Sequence, residues 1–144
     1  MVKENRILKS RLCNIIKKQS LSCTFPQSFH NDPLLKLIKQ YFFPHRNLEP
    51  ISVSAHLREN NKEPLFHTDD DKGNVANFLL FVKGKPLFNN GTGFLHDEKL
   101  SSHIGFVENR GLFFNGLKIP HSDLQSFGDS SKRYTLNIFY KEND

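Results

Sequence analysis

Arg133-Tyr134-Thr135-Leu136-Asn137-Ile138-Phe139-Tyr140 reads as a β-strand: Arg133, Thr135 and Asn137 share one face, and Leu136, Ile138 and Tyr140 share the other. Working back from it, everything beyond Glu49 has the same texture, short apolar runs separated by Gly, Asn, Asp and Ser. About eight candidate strands follow: Ile51 to Leu57, Leu65 to His67, Val75 to Val82, Lys85 to Phe88, Thr92 to Leu95, His103 to Val107, Gly111 to Phe114 and Arg133 to Tyr140. Lys118 to Ser122 is a further short candidate. Many short strands with turn residues between them predict a sandwich or barrel in preference to a parallel sheet, and eight strands suit a jelly roll.

The first third of the chain is different. Ile7, Leu8, Leu12, Ile15 and Ile16 recur at helical intervals between Lys3 and Ser20, with Lys and Arg on the other faces. A loop through Ser22, Thr24, Pro26 and Ser28 is expected next, and Asp32-Pro33 then has the form of an N-cap followed by proline at the first helical position. Leu34, Leu35, Leu37, Ile38, Tyr41 and Phe42 continue this second helix until Pro44 ends it. The expected organisation is one domain, a basic helical segment over residues 1–46 packing on a β core over residues 47–144.

Charge is distributed along the same boundary. Residues 1–46 hold nine Lys or Arg against two acids, a net of +7, while residues 47–144 hold eleven against thirteen, a net of −2. The basic segment is either a solvated helix face or a surface for an acidic macromolecule. Cys13 and Cys23 form no CxxC pair, which argues against a zinc site or a disulfide framework and fits reduced thiols in a cytoplasmic protein. No apolar run is long enough for a membrane span.

Chemistry concentrates in three places. His67-Thr68-Asp69 is followed by His121 fifty-two residues after Asp69, and by Arg133 twelve beyond that. At a strand end His67 and Asp69 point the same way and Thr68 points away, while a second histidine has to come from a neighbouring strand. Leu65 and Phe66 are expected to anchor this approach in the core. An isolated HxD tripeptide is weak; its combination with His121 and Arg133 in a many-stranded setting carries the argument. Two imidazoles and a carboxylate on one face of a metal leave three coordination positions free, the arrangement of non-heme Fe(II) oxygenases. Arg133 with Thr135 two residues on would make a carboxylate clamp. Asn77, on one face with Leu79 and Phe81, and His56, one strand away from His67, are candidate contacts to a bound small molecule. His30 and His45 fall in loops, and His96 and His103 bracket a solvated acidic turn. The run Asp69-Asp70-Asp71 lacks the glycine and glutamate positions of a calcium loop, and Asp70 is expected to orient a ligand from behind.

From Ile51 to Tyr140 the chain resembles the Fe(II)/2-oxoglutarate-dependent dioxygenase superfamily, whose core is a double-stranded β-helix of jelly-roll, cupin-like form. His67, Asp69 and His121 match its HxD…H triad, Arg133 its 2-oxoglutarate arginine and Thr135 the hydroxyl residue two positions later. Asn109-Arg110-Gly111-Leu112-Phe113-Phe114, Pro120-His121, Phe139-Tyr140 and the glycine-rich turn Gly91-Thr92-Gly93-Phe94 are similar to the prolyl hydroxylase branch. The resemblance implies iron, 2-oxoglutarate and O2, with ascorbate as a candidate reductant. It also implies hydroxylation of a C–H bond in an amino-acid, peptide or protein substrate, prolyl substrates among them, with release of succinate and CO2. Phe81 stands where many prolyl hydroxylases carry a cosubstrate-binding tyrosine, so Asn77 or His56 is expected to take that part. Phe139, six residues after Arg133, replaces the second arginine of DNA-repair demethylases, which disfavours a nucleic-acid substrate. The alternative is a non-catalytic cupin-like module that docks a macromolecule through its basic helices.

Overall fold

A computed structural model gives the fold and describes residues 22–25, 27–58, 65–69, 76–124 and 132–143. The helix expected over Lys3 to Ser20, and with it most of the basic surface, lies outside the described residues, as do Asp70 and Asp71. The protein is mainly antiparallel β with one α-helix. Its strands are β1 (Ser22–Thr24), β2 (Leu48–Arg58), β3 (Ala76–Lys83), β4 (Leu87–His96), β5 (Lys99–Phe106), β6 (Gly111–Phe114), β7 (His121–Leu124) and β8 (Arg133–Glu142). They form a five-stranded sheet in the order β1-β2-β8-β3-β6 and a three-stranded sheet in the order β5-β4-β7. An isolated antiparallel bridge adds His67 to the free side of β7, opposite His121.

Helix α1 (Pro33–Phe42) begins as the sequence requires: Asp32 accepts a hydrogen bond from the Leu34 amide at 2.9 Å, and Pro33 occupies the first turn. Its apolar stripe, Leu34, Leu35 and Ile38, is buried, while Leu37 and Tyr41 face outward. Under the stripe lies the outer face of the large sheet, where Val53 and Ala55 of β2, Phe78 and Val82 of β3, and Leu136, Ile138 and Tyr140 of β8 join one apolar cluster with Phe43. Residues at every second position take part, the period a half-buried strand imposes.

The intervening residues face the other sheet. There the apolar contacts gather at one end, where Phe81 stacks on Phe106 with ring centroids 4.7 Å apart and Leu79, Leu112 and Phe114 close around them. That packing occupies Phe81 fully. The rest of the inner face is polar, and this division positions the site.

Several strand expectations change: Leu65 to His67 forms only an isolated bridge, and the strand expected from His103 begins at Lys99. Ser22–Thr24 forms β1, where a loop was expected, because it pairs with the open edge of β2 in the register Ser22↔His56, Cys23↔Ala55, Thr24↔Ser54. Lys85 to Phe88 and Thr92 to Leu95 merge into the single strand β4, whose pairing with β5 is irregular between Leu87 and Gly91. Gly91-Thr92-Gly93-Phe94 is therefore mid-strand and not a turn. A Cβ at Gly91 would sit 2.0 Å from the Ile104 carbonyl oxygen, so only glycine admits β5 this closely. The real turn is Asp97-Glu98, both at positive φ (49° and 60°), the two-residue hairpin joining β4 to β5.

Candidate metal centre

β7 and the segment around His67 exchange two backbone hydrogen bonds, His67 N to His121 O at 3.1 Å and His121 N to His67 O at 2.9 Å. This pairing sets the two imidazoles side by side, with ring centroids 4.8 Å apart. Asp69 returns to the same face after one residue, its amide held by the Gly116 carbonyl at 2.9 Å. His67, Asp69 and His121 thus offer three ligand atoms within 4.8 Å of one another.

Each histidine is also set for a metal. The Nδ1 of His67 lies 3.0 Å from the Leu65 carbonyl oxygen and that of His121 lies 3.0 Å from the Ile119 carbonyl oxygen. A carbonyl accepts only, so both rings carry their proton on Nδ1 and leave the Nε2 lone pair free. His121 Nε2 lies 3.8 Å from Asp69 Oδ2, and Phe114 packs edge-on against the His121 ring at 4.7 Å. The Asn77 side-chain amide donates to the same Asp69 oxygen. Gly116 closes over both: a Cβ there would lie 1.8 Å from Asp69 Oδ2 and 2.5 Å from Asn77 Nδ2. Two imidazoles, each oriented by a backbone carbonyl, and one carboxylate oriented by the Asn77 amide fit a divalent first-row metal.

A cavity of about 450 Å³ runs from this triad along the inner face of the large sheet. Ser54, His56 and Arg58 of β2, Thr135 and Asn137 of β8, and Asp123 of β7 make its polar wall. His56 Nε2 shares a hydrogen bond with Ser54 Oγ at 3.0 Å, and its Nδ1 is buried without a partner among the described residues. Burial, reinforced by the nearby Arg58 charge, pushes the His56 pKa below its usual value, so the ring is neutral at pH 7. Arg133 lies behind the wall at 1 % exposure. Its Nη1 donates to the carbonyls of Gly91 and Leu124, each at 3.1 Å, and to the Asn90 side chain. Burial lowers its pKa and the Asp123 carboxylate opposes that shift; a guanidinium stays charged regardless.

The residues singled out from the sequence therefore meet around one space, in different ways. His67, Asp69 and His121 converge; His56 and Thr135 line the cavity. Asn77, expected to face a cosubstrate, instead has its amide on Asp69, because the Asp69 segment crosses the end of β3 where the cavity was expected. Leu65 is 78 % exposed at the cavity mouth and anchors nothing in the core; its carbonyl, held toward His67, is what matters. Sequence reasoning missed Ser54, Arg58, Asp123 and Gly116. The first two were legible in the alternation Ser54, His56, Arg58, and Asp123 in its two-residue spacing from His121; no pattern marked Gly116.

No family model and no curated protein sequence matches the chain. Solved structures do. A viral collagen prolyl hydroxylase from Paramecium bursaria Chlorella virus-1 superposes with a TM-score of 0.70 at 17 % identity, covering 96 % of this chain and 85 % of that one. A prolyl-4-hydroxylase from Pseudomonas putida gives 0.64 at 13 % identity, covering 97 % and 86 %. A prolyl 4-hydroxylase from Phytophthora capsici gives 0.63 at 14 % identity, covering 96 % of this chain and 54 % of its own length. Together with the antiparallel sheets, these likenesses mean that the chain has the fold of the prolyl hydroxylases.

Proposed function

We propose that the protein is an Fe(II)- and 2-oxoglutarate-dependent hydroxylase acting on a C–H bond of an amino-acid or peptidyl substrate, prolyl substrates included. The observation that carries this reading is the triad itself, with both Nε2 atoms freed by backbone carbonyls and a polar cavity opening beside them. The order of the strands supports a double-stranded β-helix: β2, β3, β6 and β8 belong to the large sheet, and the His67 segment, β4 with β5, and β7 alternate with them in the other. In this reading residues 47–144 carry the chemistry and residues 1–46 flank it.

His67, Asp69 and His121 hold the metal, and Asn77 keeps Asp69 turned toward it. When bound, iron with 2-oxoglutarate and O2 would supply the oxidising power to insert one oxygen atom into the C–H bond, the other leaving in succinate as CO2 is lost. Thr135, His56 and Arg133 receive the far end of the cosubstrate: a hydroxyl and a neutral imidazole donate hydrogen bonds, and a guanidinium supplies charge. Leu79 and Phe114, in the same lining, exclude water from the metal side. Such positioning is the protein's share of catalysis when a cofactor carries the redox chemistry.

Protein isolated without oxygen is expected to bind Fe(II) stoichiometrically and to release succinate from 2-oxoglutarate, with stimulation by a peptide or amino acid from a substrate panel. His67→Ala should lose the metal, and Arg133→Ala should keep it while requiring more cosubstrate. Wild-type protein that binds iron yet forms no succinate with any member of the panel would reject the enzymatic reading.

A further inference from the structure

At one end of the cavity β2, β7 and β8 bring three charges together. Arg58 stands directly opposite Arg133 in the β2–β8 register, a placement in which like charges repel. Asp123 lies between them. Its Oδ2 accepts from Arg58 Nε at 2.8 Å, and its Oδ1 lies 2.9 Å from Arg133 Nη2. The two contacts are unequal. The Arg58 contact is an aligned hydrogen bond, whereas Arg133 Nη2 meets Asp123 as an ion pair and Arg133 Nε is buried without a hydrogen-bond acceptor among the described residues. Arg58 and Asp123 line the cavity and Arg133 does not, which leaves Asp123 between the buried guanidinium and any molecule in the cavity.

Two guanidinium groups and one carboxylate leave a single positive charge, and one further carboxylate would neutralise it. Buried N–H donors without acceptors are costly, and a carboxylate arriving at Arg133 would satisfy them. The Asp123 carboxylate already occupies part of that place.

Resting on the 2-oxoglutarate reading above, we propose that Asp123 competes with the cosubstrate's distal carboxylate for Arg133 and that Arg58 is the residue that draws Asp123 aside. On binding, Arg133 Nη2 exchanges Asp123 Oδ1 for the incoming carboxylate, while Arg58 retains Asp123 through Oδ2. Affinity for the dicarboxylate is therefore set by a balance of two ion pairs within the chain, and Asp123 and Arg58 are specificity-determining residues of the cavity.

The test is calorimetric titration of 2-oxoglutarate into the full chain loaded with Mn(II), without turnover. Asp123→Asn, close to isosteric, is expected to bind about tenfold more tightly than wild type, the worth of roughly one favourable charge exchange. Asp123→Ser should shift affinity in the same direction and serves if the asparagine variant does not fold. Arg58→Ala is expected to weaken binding severalfold in the wild-type background and to change it less than twofold in the Asp123→Asn background, since its action passes through Asp123. Unchanged or weaker binding by both Asp123 variants, with wild type binding normally, overturns this proposal alone and makes Asp123 a prop for Arg133. Absence of binding by wild type and variants alike overturns the 2-oxoglutarate reading as well.

Discussion

On β8, Leu136, Ile138 and Tyr140 are fully buried against helix α1, while Arg133, Thr135 and Asn137, one residue along from each neighbour, turn to the opposite sheet. β2 repeats the division with Val53 and Ala55 outward and Ser54, His56 and Arg58 inward. In an ordinary two-sheet sandwich the space between the sheets holds the core. Here the helix-covered outer face supplies most of the apolar burial, and only the Phe81–Phe106 end of the inner face is dry. The inner face is thereby released from holding the fold together, and buried polar groups can be kept for ligands. Three in the cavity lining have no partner among the described residues: His56 Nδ1, Thr92 Oγ1 and Asn137 Oδ1. Groups that cost stability when unpaired and line a cavity are the expected mark of a binding wall.

The division can be broken from either side, and the largest effect is expected outside. Leu136→Ala removes a fully buried side chain beneath the helix and should cost about 2–5 kcal/mol in denaturant unfolding. A loss below about 1 kcal/mol would mean that the outer face is not the principal core. Next comes the inner face at the triad. Gly116→Ala drives a methyl group into Asp69 and Asn77, and metal titration should show about tenfold to a hundredfold weaker binding, with the melt of the metal-free protein little changed.

A smaller effect follows from His56. Its folded-state pKa lies below the ordinary value because of burial, so the unfolded chain takes up the proton first. His56 contributes no pH dependence well above about 6.5 and progressively destabilises the protein as pH falls below that value toward its own folded pKa. Unfolding of His56→Gln across this range should lack that component, and parallel wild-type and variant curves would contradict it. The smallest change sharpens the comparison at its one exception. Tyr140 is apolar-facing yet carries a hydroxyl that is buried without a partner among the described residues, and burial pushes its pKa up. Tyr140→Phe should leave stability unchanged or raise it by about 1 kcal/mol, read as a shift in the unfolding midpoint.

Much of this was legible in the chain because the relevant patterns are local. Alternation in 133–140 separated the two faces of β8, Asp32-Pro33 marked the start of α1, and His67-x-Asp69 placed two ligands on one side. What went unread involved partners distant along the chain. β1 exists because β2 has an open edge, β4 is one strand because Gly91 lets β5 approach, and Asn77 reaches Asp69 because the segments cross. Arg58 lay one residue past the expected end of its strand, and strand ends are set by what pairs with them.

By itself the sequence determined which side chains share a face and which chemistry they bring, since a strand's two-residue period is a property of the backbone alone. Only the tertiary structure decided that the polar faces of β2, β7 and β8 enclose the same cavity, and that Asp123 comes to rest between Arg58 and Arg133. Pairing register and sheet contact are sums over residues far apart in the chain, and no short stretch contains them.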